Sequence, residues 1–282
     1  MKLARFADGD GSRLGVVVDD GIVALDTIGV EVTDMIALIE AGPALLERIA
    51  GALDGAPRIP LSEVRLLAPL RPRKLLAIGM NYRRHAEEAR KLGITVPDAQ
   101  LWFNKQTSCV NGPYAPVSQG VTEKLDYEVE LGLVIGRAAK SVGKGAAMDH
   151  VFGYLVVNDV SARDWQMHSQ TMTVGKSFDT HGPIGPWIVT ADEIADPHAL
   201  NLRCIVNGEV RQDSNTEQLI HTIPDQIAYL STAFTLEPGD ILATGTPEGV
   251  GIARQPPVFL VPGDVVRCEI DGIGAIENRI VA

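Results

Sequence analysis

The sequence predicts a mixed, β-rich α+β fold, and three observations support this. From residue 74 onward short apolar runs recur, each bounded by Gly, Pro, Asn or Asp, the pattern of short strands in a layered β structure. Asp19-Asp20-Gly21, Asn207-Gly208 and Asp271-Gly272 each lie between two such runs, and Asn-Gly and Asp-Gly favour tight hairpin turns. Helical periodicity is confined to a few stretches, chiefly 33–40, 43–53, 81–90 and 223–234.

Composition narrows the function. The chain has 282 residues and is 45% hydrophobic, enough for a sizeable core. A net charge of −11 argues against nucleic acid, which selects basic surface. No apolar run approaches the ~20 residues that span a bilayer. The first ten residues lack the apolar core of a signal peptide. Cys109, Cys204 and Cys268 are odd in number and widely spaced, which fits a reducing cytoplasm and neither a disulfide framework nor a zinc site. An acidic protein that takes an anionic substrate needs a local positive centre, and a bound metal would supply one.

In order, the chain reads as a small N-terminal α/β unit (residues 1–65) and a larger unit (residues 70–282). Between them residues 57–73 are punctuated by Pro57, Pro60, Pro69 and Pro72. Residues 14–18 and 22–25 form a hairpin. Residues 33–40 read as a helix capped by Thr33 or Asp34 and stopped at Gly42-Pro43. No chemistry is grouped in this unit. Residues 74–79 are a buried strand. In the helix-like 81–90, His85 and Glu88 share a face. A carboxylate beside an imidazole fixes its tautomer and raises its basicity, as in a general base, although the same spacing is common on surface helices.

Residues 101–105 and 152–157 are strands, the second ending on Asn158-Asp159, where the aspartate either faces a cleft or caps a turn. Residues 175–186 are crowded with Gly175, Gly182, Pro183, Gly185 and Pro186 and read as a shaped loop of the kind that carries function. Gly175 would let a ligand approach Lys176 closely. Gly175-Lys176-Ser177 is not a phosphate loop, because Gln170 stands where the upstream glycine belongs. Residues 200–206 and 209–212 form a hairpin, and residues 241–244 are a buried strand. In the tight loop 245–251 the amides and the Thr246 hydroxyl could hold a carboxylate. Residues 265–270 and 273–280 make a last hairpin.

The stretch 125–132, Leu-Asp-Tyr-Glu-Val-Glu-Leu-Gly, alternates apolar and acidic residues. As a strand it points Leu125, Tyr127, Val129 and Leu131 into a core and Asp126, Glu128 and Glu130 the other way. Carboxylates at i and i+2 are ~7 Å apart on a strand face and repel. Water offsets that on an open surface; in a cleft a hard divalent cation would, since oxygen-rich sites suit magnesium, manganese or calcium.

Five motifs together resemble the fumarylacetoacetate hydrolase superfamily: Gly79-x-Asn81-Tyr82-x-x-His85-x-x-Glu88, the 126–131 strand, Asn158-Asp159-x-x-x-Arg163-Asp164-x-Gln166, Gly175-Lys176-Ser177-Phe178-Asp179, and Thr244-Gly245-Thr246-Pro247. The resemblance spans residues 74–282, and the first 65 residues are similar to the small N-terminal domain of bacterial acylpyruvase-like and diketo-deoxy sugar acid hydrolase-like members. It implies a β-roll or β-sandwich catalytic domain and a homodimer. It also implies Mg2+ or Mn2+ (or Ca2+ in its place) held by Glu128, Glu130 and Asp159, with Asp126 supporting. Carried over in the same way, His85 is the base, Glu88 its orienter and Lys176 a cation beside the reacting carbonyl. Tyr82, Arg163, Gln166 and Thr246 become substrate contacts, with Met167, His168, Gln170, His181 and Trp187 as candidates for shaping the substrate's tail.

The expected activity is metal-dependent hydrolysis of a C–C bond in a 1,3-diketo (2-oxo) acid such as an acylpyruvate. The same site could instead decarboxylate an oxaloacetate-like acid or isomerise an unsaturated oxo-diacid. A non-catalytic, calcium-stabilised binding protein is a distant alternative; it has no need of Lys176 or His85 near the acids.

Overall fold

The computed structural model describes residues 1–91 and 93–282 of the chain. A large sheet runs in the order Ile59–Pro60, Gly21–Ala24, Gly11–Val18, Lys2–Asp8, Gly182–Thr190, Val151–Asn158, Val129–Ile135, Ile241–Ala243, Leu75–Gly79, Leu101–Lys105. A second sheet, Glu209–Asn215, Asn201–Val206, Val265–Ile270, Gly274–Val281 and Val117–Ser118, packs against it. Leu131, Leu133, Tyr154 and Val156 of the first sheet share one core with Leu202, Cys204, Val266 and Ile276 of the second. The expected layered β architecture is present. Among the described residues, no helix is long and apolar enough to cross a membrane.

The strand Val129–Ile135 lies between the strands Val151–Asn158 and Ile241–Ala243, and every one of its residues is buried. Alternation sends Val129, Leu131, Leu133 and Ile135 into the core between the sheets and Val134 into a second core. That second core is completed by Leu3, Leu38, Ile39 and Ile49 from the N-terminal segment. The first 65 residues are thus tied to the large sheet, since Lys2 and Leu3 pair with Val189 and Ile188. The proline-rich stretch is tied down as well: Ile59–Pro60 pairs with Gly21–Ala24, and Leu66–Leu67 with Lys2–Asp8.

Local signals mark most boundaries. Asp34 caps the helix Met35–Ala41 by accepting from the Ala37 amide. Asn207 and Gly208 take φ of 51° and 82°, the left-handed pair that a type I′ hairpin turn requires. Two expectations need correction. Residues 182–186 are not loop but the start of the strand Gly182–Thr190, with neighbours on both sides. Pro186 is tolerated because the register with Val151–Asn158 shifts between Tyr154 and Val156, so it sits at a bulge where no ladder donor is needed. The acidic stretch is also not one strand: Leu125–Asp126 pairs with Ser161–Ala162, and the chain passes through Tyr127 and Glu128 before Val129–Ile135 begins.

Gly153 sits where two strands close on one another, and a Cβ there would collide with the carbonyl oxygen of Val189. Gly153→Ala is expected to destabilise the fold by about 1–3 kcal/mol through overpacking. The check is a lower urea midpoint at unchanged slope.

Candidate active site

The acidic side chains are buried rather than solvated: Asp126 is 0% exposed, Glu128 5%, Glu130 1% and Asp159 0%. Glu128, Glu130 and Asp159 converge, each offering one oxygen within 4.8 Å of the other two. Strand geometry explains this. Glu130 is the second residue of a strand whose partner, Val151–Asn158, delivers Asp159 one residue past its end, and the Asp159 amide donates to the Glu128 carbonyl at 2.9 Å.

Buried carboxylates need counter-charge, and three cations provide it. Lys176 Nζ donates to Glu128 Oε2 at 2.8 Å and to Asp159 Oδ2 at 2.7 Å. Lys105 Nζ donates to Asp159 Oδ1 at 2.6 Å and to the Val160 carbonyl at 3.1 Å. Arg163 pairs with Asp126 Oδ2 at 2.9 Å and with Glu128 Oε1 at 2.6 Å. Burial alone would raise the Glu128 carboxyl, but the Lys176 and Arg163 charges outweigh it and hold it down at about 2. Glu130 goes the other way: burial first, then the charges of Asp159 and Glu128, push it well up. Burial would lower the Lys176 ammonium, yet Asp159 and Glu128 leave it raised.

Across a 120 Å³ cavity from these acids lies the helix Arg83–Lys91. His85 Nδ1 is 3.0 Å from Glu88 Oε2, and Glu88 Oε1 accepts from the Gly249 amide at 3.2 Å. Glu128, Glu130, Lys176, Arg163, Gln166, Thr246, His85 and Glu88 all line this cavity. The distant alternative expected Lys176 and His85 to lie away from the acids, and it loses its basis. Met80, Ile94, Leu101, Phe103, Met167 and Met172 form the apolar wall. Met80 and Met172 sit at φ of 57° and 59°, an unfavourable region for a side chain-bearing residue.

With that geometry in view, two family models account for almost the whole chain. Residues 74–281 match the model described as "Fumarylacetoacetate (FAA) hydrolase C-terminal", and residues 1–69 match "Rv2993c-like, N-terminal". The protein is an enzyme of the fumarylacetoacetate hydrolase family. A curated relative, oxaloacetate tautomerase fahd2, mitochondrial, of Xenopus laevis, is 43% identical over 291 residues, covering 100% of this chain and 90% of the relative. Maleylpyruvate hydrolase from Sphingobium sp. SYK-6, solved in complex with manganese(II) ion and pyruvate, superposes with a TM-score of 0.83 at 38% identity, covering 100% and 99% of the two chains. The structure of 5-carboxymethyl-2-hydroxymuconate delta-isomerase from Mycobacterium smegmatis gives 0.78 at 34% identity, again covering 100% of this chain and 99% of that one.

The donor set fits the divalent ion that this family resemblance implies. Three buried, all-oxygen ligands within 4.8 Å suit a hard cation such as Mg2+ or Mn2+.

The other expected residues divide. Arg163 lines the cavity but spends its guanidinium on Asp126, Glu128 and Gln166 Oε1, the last at 3.0 Å. Thr246 also lines the cavity, but its hydroxyl donates to the Val129 carbonyl at 3.0 Å and accepts from Gln212 Nε2 at 2.9 Å. Tyr82, expected against substrate, is fully buried and is not among the residues that line the cavity; its hydroxyl has no hydrogen-bond partner among the described residues. Of the tail candidates only Met167 lines the cavity. Buried His181 donates to the Ser118 carbonyl at 2.8 Å, and burial pushes its imidazole down to about 4. Trp187 donates to the Ile273 carbonyl at 2.7 Å.

The loop 245–251 does hold carboxylates with its amides, but they are the protein's own. Gly245 N donates to Glu130 at 2.8 Å, Gly249 N to Glu88 at 3.2 Å and Gly251 N to Asp126 at 2.7 Å. Sequence reasoning missed Lys105. Its signal was available: Leu101, Phe103 and Lys105 alternate along one strand, Phe103 and Lys105 being buried while Asn104 between them is exposed, which puts an ammonium on the apolar face. Gln212, which accepts from the Val129 amide at 3.0 Å, and Asn158, which accepts from the Glu128 amide at 3.1 Å, were also missed, because only distant partners give them meaning.

Gly175 places Lys176, since a Cβ at 175 would collide with the backbone N and Cα of Gln166. Gly175→Ala is expected to displace Lys176 from the acids and lower kcat/KM by at least about tenfold, as misplacement of about 1 Å does in other sites. Steady-state kinetics on folded variant, verified by circular dichroism, checks this.

Proposed function

We propose that this chain catalyses proton transfer at the carbon beside the keto group of a small 2-oxo acid, and that keto–enol tautomerisation of oxaloacetate is its activity. The observation that carries the reading is that the His85–Glu88 pair, Lys176 and two members of the acidic cluster, Glu128 and Glu130, line one small cavity, with Asp159 converging on those two acids from behind. At 120 Å³ it lies below the ~300–1,000 Å³ usual for drug-sized ligands, which favours a short substrate. The 43% identity to oxaloacetate tautomerase over the full chain supports the same choice.

A bound Mg2+ or Mn2+ would supply Lewis-acid polarisation of the substrate's keto oxygen. Glu128, Glu130 and Asp159 are the residues to hold it. Glu88 keeps the His85 ring in one orientation and tautomer, leaving Nε2 free to take the proton from carbon. Lys176 sets a positive charge beside the oxygen on which negative charge develops. The apolar wall from Met80 to Met172 keeps competing water out.

The second reading is the C–C hydrolysis that the sequence suggested, in which His85 instead takes a proton from a water that attacks the distal carbonyl of an acylpyruvate. Its support is the likeness to maleylpyruvate hydrolase. Three buried, free cysteines fit a reducing compartment, either the expected cytoplasm or a mitochondrial one such as the vertebrate relative's name states.

Two outcomes are expected. The chain accelerates enol-to-keto conversion of oxaloacetate more than it releases pyruvate from acylpyruvates, and chelation abolishes the faster reaction; pyruvate release as the dominant reaction would select the second reading, and activity surviving full chelation would remove the metal. His85→Ala lowers kcat by a factor on the order of 10²–10⁴ while Mn2+ binding, measured by calorimetry, is retained.

A further inference from the structure

The lysines around Asp159 are not equivalent. Lys105 is buried away from the cavity, and its contacts are Asp159 Oδ1 and the Val160 carbonyl. Lys176 lines the cavity, and its ammonium joins the two acids Glu128 and Asp159 through one oxygen of each. The other oxygen of each is already engaged, Glu128 Oε1 by Arg163 and Asp159 Oδ1 by Lys105. A cation entering the triad therefore has to share or take the two oxygens that Lys176 now holds.

We propose that Lys176 is a resident counter-ion that keeps the metal's place between Glu128 and Asp159, and that ion entry drives its ammonium off these carboxylates toward the substrate side of the cavity, while Lys105 stays on Asp159. The inference rests on the metal reading above and adds to it a competition within the chain. Four buried carboxylates, Asp126, Glu128, Glu130 and Asp159, would be intolerable together without compensation. An internal cation lets the chain fold before it meets a metal. The same cation then weakens metal binding, because a divalent ion has to displace it. Phe103 offers the released ammonium an aromatic face, since its ring centroid already lies 5.0 Å from Lys176 Nζ. Ion binding would in this way deliver the ammonium to the place where a substrate oxygen arrives.

Two measurements test this, and neither depends on turnover. The first is calorimetric titration of chelator-treated wild type and Lys176→Met with Mn2+. Removing one unit charge from the immediate surroundings of the ion is expected to tighten Mn2+ binding by at least about tenfold, while the metal-free Tm falls and the rise in Tm on adding Mn2+ grows. The second is lysine-selective reductive methylation of the wild type, followed by mass spectrometry, with and without Mg2+. Lys176 is expected to become more reactive with Mg2+, and Lys105 to stay protected in both states. Unchanged or weaker Mn2+ binding by the variant overturns the inference, as does Lys176 labelling that Mg2+ leaves unaltered or lowers. A Lys176→Met chain too unstable to titrate leaves the labelling to decide. Wild type that fails to bind Mn2+ overturns the metal reading itself, an outcome distinct from wild type that binds while its lysine reactivity stays the same.

Discussion

The constraint that shapes this protein is the neutralisation of buried carboxylates. Four acids are buried, three of them converging and Asp126 joined to Glu128 through Arg163, and each is answered by a cation or a backbone amide. The answering groups come from separate segments of the larger unit: Lys105 from the strand Leu101–Lys105, Arg163 and Lys176 from the segment after Asp159, and Gly245 and Gly251 from the loop after Ile241–Ala243. A partly satisfied network of this kind would cost more than an apolar core. The fold is therefore committed to closing around the acids, and the cavity is the space that remains once they are paired.

The second face of the same strand explains why the network is rigid. Leu131 and Leu133 lock Val129–Ile135 into the core between the two sheets, so Glu130 cannot turn outward without dragging apolar side chains into water. Asp126 takes four donors, the amides of Tyr127, Gly251 and Ile252 and the Arg163 guanidinium, and thereby pins the loop whose Gly249 amide orients Glu88. One residue outside the Glu128–Glu130–Asp159 cluster in this way ties the acid side of the cavity to the His85–Glu88 side. That coupling gives a physical reason for the His85–Glu88 pair and the acids to share a cavity although they are far apart in the chain.

Family membership narrows the chemistry without choosing the reaction. The relatives include a tautomerase, a hydrolase and an isomerase by name, and proton transfer beside a keto group held by a cation is chemistry that the parts described above could supply to any of the three. What separates those reactions is whether a water or only a proton is brought to the substrate. On the proposed reading it is the proton, and the small cavity with Met80, Met167 and Met172 in its wall suits that reading, since methionine side chains adapt to fill space around a short ligand.

Much of this was legible in the chain itself. Alternation in 125–131, the His-x-x-Glu spacing, the Asn-Gly turn and the Asp34 cap are local patterns, and local sterics and hydrogen bonding are enough to read them. Residues 182–186 defeated local reading because Pro186 is accommodated by a register shift that the neighbour Val151–Asn158 supplies, and Pro183 lies in a short parallel pairing with Val110–Asn111. Lys105 and Asp159 are 54 positions apart, and no spacing rule joins them. By itself the sequence determined which side chains alternate, which turns close and which family's motifs are present, because these depend on neighbours a few residues away. Only the tertiary structure decided that the acids are buried, that Tyr82 turns from the cavity and that Thr246 and Arg163 are engaged by the protein's own groups. Burial and partner choice are set by segments that meet only after folding.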